Sequence, residues 1–284
     1  SGTNANITKS IPLKRVAALI HGYNEADILP EVFQHMAAQG VEVHYFDNWS
    51  EDGSWEIATE LERTGLITHC ERFPDGPTGH YQWHTQLTRT EEYAKTLGAD
   101  WILHHDADEI RLSPWEDVSL QEAISWVDSI GYNAIDFTVI DFRFLNTNPD
   151  IAPPFQQNLI NFEFGRRPGH FEQIKGWKNT RDISLADSGG HNVKFEGRKV
   201  YPLKFLLKHY PLRNRKQATQ KVLEHRLPRY SLENEKYGWH TQYNQFAGAK
   251  EVVGWEPENL IPWHPILFNT EYLVEMLSGI GLKT

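Results

Sequence analysis

Two aspartates one residue apart, Asp106 and Asp108, with Glu109 directly after them, are the residues of this 284-residue chain best placed to do chemistry. Where a strand runs into a loop, carboxylates at i and i+2 can both approach one divalent cation, and hard oxygen donors suit Mg²⁺ or Mn²⁺. Such an ion can neutralise the charge on a leaving diphosphate. The pattern alone is weak, because on the order of one Asp-x-Asp arises by chance in a chain this long. Its bland reading is a solvated turn. Two further polar clusters add weight. In His21-Gly22-Tyr23-Asn24-Glu25, Gly22 permits a tight turn, Tyr23 offers a ring for a base, and Glu25 offers a carboxylate for the base edge or ribose. In the segment Asp47 to Ser54, Asp47 can accept hydrogen bonds from a nucleobase or ribose hydroxyls. Ser50 and Asp52 suit a helix N-cap, and Asn24 suits the cap of a helix starting near Ala26.

The elements that must position these clusters are written in the apolar pattern. Val16–Ile20, Val41–Phe46, Leu66–Cys70, Trp101–His104 and Asn133–Ile140 read as strands. Between them, apolar residues recur at helical spacing over Ile28–Met36, Trp55–Leu61, Trp83–Leu97 and Leu120–Ile130, with Gly98 stopping the third helix. The order βαβαβαβαβ predicts an α/β fold with a mostly parallel sheet and helices on both faces. Ligands of such sheets bind beyond the carboxyl ends of the strands, where all three polar clusters fall. The second half is less regular. Pro149–Asn158 reads as loop, Phe171–Asp187 and Val193–Lys208 as strands and loops, Arg215–Arg226 and Glu271–Leu277 as helices.

Taken together, the three polar segments resemble family 2 glycosyltransferases. Gly-Tyr-Asn-Glu-Ala is similar to that family's Pro-x-Tyr-Asn-Glu segment, Asp47–Ser54 to its Asp-Asp-Gly-Ser-Thr-Asp-Gly-Thr segment, and His-His-Asp-Ala-Asp-Glu to its Asp-x-Asp strand. The departures are His21 for Pro, Asn48 for the second Asp, and Trp49 for Gly. The resemblance spans roughly residues 14–140. It implies a GT-A (Rossmann-like) fold, a nucleotide diphosphate sugar donor and Mn²⁺ or Mg²⁺. It further implies nucleoside contacts from Tyr23, Glu25 and Asp47, and metal and diphosphate contacts from Asp106 and Asp108. In the second half, His209-Tyr210-Pro211-Leu212-Arg213-Asn214 resembles a His-Tyr-x-x-Arg-Ser segment of a bacterial branch of these enzymes. By that resemblance His209, with His191 second, is a further metal ligand. Arg213, Arg215 and Lys221 become candidates for the donor diphosphate, although a basic helix start is more often a solvated face.

The family's inverting mechanism needs a general base for the acceptor hydroxyl. Glu172 is favoured, flanked by Phe171, Lys175 and Trp177, with Asp182, Asp187 and Asp141 as alternatives. Residues 1–12 read as a linker or tag remnant, 13–140 as the nucleotide-binding half and 141–284 as the acceptor-binding half of one domain. The acceptor is expected to be a carbohydrate or glycolipid. Trp239, His240, Trp255 and Trp263 are candidates for its groove, with core packing as the alternative.

Composition narrows the rest. A net charge of -10 argues against nucleic-acid binding, which needs a basic face. No apolar run approaches the roughly 20 residues that span a bilayer. One cysteine excludes an internal disulfide and fits a reducing compartment, so a cytoplasmic location is expected, with peripheral contact at the inner membrane face and a larger multidomain parent as further expectations. The alternatives are a non-catalytic glycan-binding module and a sugar nucleotidyltransferase. The second would show a Gly-rich basic loop after the first strand, where this chain has Glu25. A glycoside hydrolase is disfavoured, since its paired acids belong to other architectures.

Overall fold

The computed structural model describes residues 11–165, 168–229, 233, 235–236 and 241–265. The predicted helix at 271–277 and the groove candidates Trp239 and His240 lie outside the described residues.

Four strands form the expected parallel core in the order β3-β2-β1-β4: β1 (Val16–Gly22), β2 (Val41–Asp47), β3 (His69–Arg72) and β4 (Trp101–Asp106). Every residue of β1 is buried, as a central strand covered on both faces requires. Alternation then sorts its side chains. Val16, Ala18 and Ile20 meet the helices Leu29–Ala38, Ser54–Arg63 and Leu120–Ser129 on one face. Ala17 and Leu19 meet Trp83, Leu87 and Ala94 of the helix Trp83–Thr96 on the other.

The third strand starts later than its apolar run. Gly65 turns the chain at a φ of +83°, and Leu66 and Ile67 donate their backbone N–H groups to Leu61 O, finishing the preceding helix instead of pairing in the sheet. The predicted fifth strand is longer, Ala134–Arg143 (β6), and it is not β4's neighbour. Between the two runs β8 (Ile174–Lys178), antiparallel to both. A strand absent from the sequence reading, β5 (Glu109–Leu112), returns from the Asp-x-Asp turn. It pairs with the 13-residue β9 (Val200–Leu212), which runs beside β6. β7 (Asn161–Phe164) and the two-residue β10 (Ile261–Pro262) extend β6 outward. Thus β4, β8, β6, β9 and β5 curl round a small interior, closed at the top by residues 106–109.

Pro149–Asn158 is loop apart from a short helix, Phe155–Asn158. The helix predicted over Arg215–Arg226 is present and runs on to Arg229, and Gln220–Arg226 within it makes i→i+5 bonds. Of the described groove candidates, Trp255 packs edge-on against Phe144 and Trp263 packs against Phe142 and Phe162. No helix among the described residues is long and apolar enough to cross a membrane.

Candidate active site

The three polar segments meet at the carboxyl edge of β1, β2 and β4. Gly22 ends β1 in extended backbone, and its role is clearance rather than a turn. A Cβ there would lie 2.6 Å from Tyr45 Oη and 3.0 Å from Ala107 Cβ. This closeness lets Ala107 N–H bond His21 O at 3.1 Å, which holds the Asp-x-Asp turn against β1.

The loops after β1 and β2 are stitched together. Asn24 N–H donates to Ser50 Oγ, Glu51 N–H to Asn24 Oδ1, and Ala26 N–H to Asp52 Oδ2. Asn24 therefore caps no helix through its side chain, whereas Asp52 Oδ1 accepts from Ser54 N (3.0 Å) and Ser54 Oγ (2.6 Å) at the first residue of the helix that opens at Ser54. Asp47 is fully buried. It accepts from Tyr45 Oη (2.9 Å), Ser50 N (2.9 Å) and Ser50 Oγ (2.7 Å), and burial raises its pKa against those bonds. The nucleoside contact implied for Asp47 is thus occupied by the protein's own donors, and the residue ties the loop.

His21, which stands where the family has Pro, is internal too. Its ring nitrogens lie 2.9 Å from Gln86 Oε1 and 2.5 Å from Thr90 Oγ1, and burial lowers its pKa to about 4. It anchors the helix Trp83–Thr96 to β1.

Asp106 and Asp108 point into different surroundings. Asp106 is flanked by Glu109; burial and that neighbouring carboxylate raise its pKa to about 7. Glu109 itself is claimed by Arg111 (2.6 Å) and Lys175 (3.4 Å), which hold it well below the usual range despite burial. Two acids share limited positive charge, and Asp106 receives the smaller part.

Asp108 is the opposite case. Lys221 Nζ lies 3.0 Å from its Oδ2 and His209 Nε2 lies 3.5 Å from its Oδ1, so it stays ionised well below the usual range although buried. Lys221 also bonds Glu25 Oε1 at 2.5 Å, and Glu25 Oε2 accepts from Arg213 Nη2 at 2.5 Å. Arg213 completes its donors with Asp27 (2.7 and 3.0 Å) and Tyr210 O (2.7 Å). The side chain is fully buried and its pKa is raised, since the acids outweigh burial. Arg213 accordingly holds the two halves together and has no face open to a diphosphate. The half-exposed Arg215 pairs with Asp150 at 3.5 Å.

His209 sits between two acids. Asp141 Oδ1 lies 2.7 Å from its Nδ1, and together with Asp108 it holds the imidazole proton against burial, raising the pKa to about 10. Both acids stabilise the protonated imidazole, so in the protein alone His209 stands as a positive partner between Asp108 and Asp141. Asp141 lies well below the usual range, because Arg143 and His209 overcome burial; an acid so stabilised is a poor base.

Tyr23 presents its ring to guanidinium groups. Arg229 Cζ stands 3.7 Å from the ring centroid and Arg226 Cζ 5.7 Å, while Tyr81 carries both guanidiniums at 5.6–5.9 Å. Arg226 also reaches Glu25 at 3.3 Å. Arg226 and Arg229 escaped the sequence reading. Their signal was a basic run, Lys221, Arg226 and Arg229, in which the five-residue step from Lys221 to Arg226 fits no ordinary helix face. The i→i+5 bonding of Gln220–Arg226 aligns Lys221 and Arg226 so that both reach Glu25 Oε1.

The remaining candidates part company. Glu172 lies on the approach to β8, at the level of the carboxyl end of β4; it is exposed and has no ion pair among the described residues. His191 is exposed, and its Nδ1 lies 3.1 Å from Gln173 Nε2, one residue after Glu172 in the chain. Asp182 follows β8 at the far edge of the sheet, three residues past Asn179, whose N–H bonds Asp100 O before β4 begins. It stands at the wrong end of the sheet to act as base. Asp187 bonds Ser184. Among the described residues, no group of three or more His, Cys, Asp or Glu side chains converges as a metal-ligand set. A cation bound here would take one or two carboxylates and draw its other ligands from phosphate and water, the usual habit of Mg²⁺.

No family model matches the chain, and no curated protein matches it. Among solved structures it is similar to residues 1–349 of TarS from S. aureus in complex with UDP, at 12% identity over 82% of this chain and 74% of that chain, with a TM-score of 0.45. Against a longer S. aureus TarS chain it spans 36% of that length, covering 69% of its own, at 12% identity and a TM-score of 0.41. It is also similar to the mannosyltransferase PcManGT from Pyrobaculum calidifontis in complex with GDP-Man and Mn²⁺, at 18% identity over 46% of this chain and 40% of that chain, with a TM-score of 0.34.

Proposed function

We propose that this chain is a glycosyltransferase that moves a sugar from a nucleotide diphosphate sugar to a carbohydrate hydroxyl, with inversion and with a divalent cation. One observation carries the reading: Asp108 on the turn after β4 and Glu25 after β1 meet cations of the Gln220–Arg226 segment (Lys221, Arg226) at the carboxyl edge of a parallel sheet. This arrangement suits a polyanion that arrives with a metal ion. It supports the transferase reading over a glycan-binding module, which would have no use for buried opposed charges at a strand edge.

In this reading Asp106 and Asp108 hold Mn²⁺ or Mg²⁺, which supplies positive charge to the leaving diphosphate when bound. Asp106 fits, since its carboxylate lacks a full share of positive charge in the protein alone. Lys221, Arg226 and Arg229 receive the phosphate oxygens. They stabilise the negative charge that grows as the bond from the anomeric carbon to the diphosphate oxygen breaks. Tyr23, backed by Arg229, walls the nucleoside side.

The acceptor hydroxyl oxygen forms the new bond from the opposite face, and its proton passes to Glu172. Glu172 is exposed, as a base that meets an incoming acceptor requires.

The test is thermal stabilisation by UDP, GDP, CDP and dTDP, each with and without Mn²⁺. A nucleotide at 100 times its dissociation constant stabilises by about 2.7 kcal/mol. One nucleotide is expected to do so, with metal, and Asp106→Ala/Asp108→Ala is expected to lose the effect. No shift with any nucleotide in a folded protein would instead favour the binding module.

A further inference from the structure

Lys221 already occupies the place beside Asp108. Glu25, Asp27 and Asp108 face Arg213, Lys221 and Arg226, joined by contacts of 2.5 to 3.3 Å. His209 leans on Asp108 but is held more closely by Asp141, at 2.7 against 3.5 Å. The Lys221 side chain is only 5% exposed, and its ammonium fills the space between Glu25 and Asp108. A cation that ligates Asp108 Oδ2 must take that place. Its segment has the one run of i→i+5 bonds among the described helices, a form of helix often found at functional sites.

A divalent ion alone, bound at Asp108 Oδ2, would push the buried ammonium of Lys221 off two carboxylates. Breaking buried pairs in that way is costly. A diphosphate removes the difficulty, because its oxygens accept the N–H donors that Lys221 gives up. We infer that Lys221 is a resident counter-ion of Asp108, which yields its place only when a diphosphate arrives, so that metal and nucleotide diphosphate bind as one unit. The inference rests on the transferase reading above, and it adds that neither half of the donor–metal pair binds well alone. By linkage the coupling is reciprocal: metal tightens nucleotide by the factor that nucleotide tightens metal.

The experiment is a titration of Mn²⁺, read by the paramagnetic resonance signal of the free ion. It is run on wild type, Lys221→Met, Lys221→Arg and Asp106→Ala/Asp108→Ala, alone and with saturating UDP or GDP. Wild type is expected to bind Mn²⁺ weakly alone and about tenfold or more tightly with the nucleotide it accepts, within the usual span of site couplings. Lys221→Met should bind Mn²⁺ alone about tenfold more tightly than wild type and gain little from nucleotide, while Lys221→Arg should follow wild type. Equal affinity of wild type and Lys221→Met for Mn²⁺ alone overturns the inference. So does a wild type that binds nucleotide yet shows no coupling, which decides the matter if circular dichroism shows Lys221→Met unfolded. Loss of every nucleotide response in wild type overturns the transferase reading and this inference with it; binding without coupling overturns the inference alone.

Discussion

The two halves of the chain bring opposite charge to one place. Residues 13–140 contribute Glu25, Asp27, Asp106, Asp108 and Glu109, held on strand ends and the loops just beyond them. The later residues contribute Lys175, Arg213, Lys221 and Arg226, carried on an antiparallel strand, a loop and an irregular helix. Arg111 is the exception in the first half, and it serves Glu109 two residues away. The difference is one of range. The acids are placed by local backbone, whereas each base reaches an acid 66 to 201 residues away. A half-site of acids alone would repel itself in a low dielectric. The parallel half therefore depends on the irregular half for electrostatic completion, and the irregular half depends on it for a rigid frame.

The sharpest way to test this division is an acid that breaks the pattern. Glu172 comes from the basic half, yet it is exposed and no ion pair holds it among the described residues. As the base it should respond in rate and not in stability. Glu172→Gln is expected to slow transfer about 10²- to 10⁴-fold with donor binding unchanged, the range for a positioned acid–base group. Asp182→Asn, at the opposite edge of the sheet, should transfer as wild type. A Glu172→Gln enzyme at near-wild-type rate would remove the residue from the mechanism.

The next largest effect should be structural. Arg213 joins the halves through Glu25 and Asp27 and is fully buried. Arg213→Ala leaves two carboxylates without their partner, which costs about 3–5 kcal/mol, seen as a lower urea midpoint at unchanged slope. In a Glu25→Gln/Asp27→Asn background the same change should cost far less, because pairs in contact are not additive. An equal cost in both backgrounds would mean that Arg213 acts by packing, and the charge division would lose its main joint.

Lys208 tests the reverse situation, a cation in the basic half with no acid bonded to it. It lies on β9 between the rings of Phe142 (5.8 Å) and Trp263 (4.2 Å), with Glu31 nearby, and burial lowers its pKa to about 8. The unfolded chain keeps its ordinary value of 10.5. Between these two values the unfolded state binds more protons than the folded state, so stability rises with pH across that window. Below about pH 8 the penalty is fully present. The rise amounts to about 3 kcal/mol at most, and Lys208→Met should abolish it, as the difference between the two denaturation curves from pH 7 to 10.5 would show. A parallel pair of curves would place Lys208 in water.

What could be read from the sequence follows the same line of range. β1, β2 and β4 were legible because a buried parallel strand is a run of apolar residues, and the Asp-x-Asp turn was legible because it ends one. Asp47 was misassigned although its partners lie two and three residues away; Tyr45 and Ser50 are ordinary types whose bonds show only in three dimensions. β5 was missed because Glu-Ile-Arg-Leu looks like a surface loop. Its Glu109 and Arg111 are buried only because they pair with each other and with Lys175 across the curled sheet. Arg226 was missed because i→i+5 bonding breaks the 3.6-residue period on which helix faces are read.

The smallest effect belongs to an element written entirely in local code. Ser119 opens the helix Leu120–Ser129: its Oγ accepts from Glu122 N at 3.1 Å, and Glu122 Oε2 accepts from Ser119 N at 2.9 Å. This reciprocal pair is a capping box and draws nothing from the second half. Ser119→Ala should therefore cost only about 1 kcal/mol. It should leave nucleotide and Mn²⁺ binding untouched, because Asp106 and Asp108 are held from β1 and β9 and not from this helix. The cost should also be the same in wild type and in Arg213→Ala, since the two sites share no partner. If Ser119→Ala instead weakened metal or nucleotide binding, local and long-range parts of the first half would be coupled. The frame would then bend with its caps, and the division into a rigid acidic half and an adaptable basic half would fail at its rigid side.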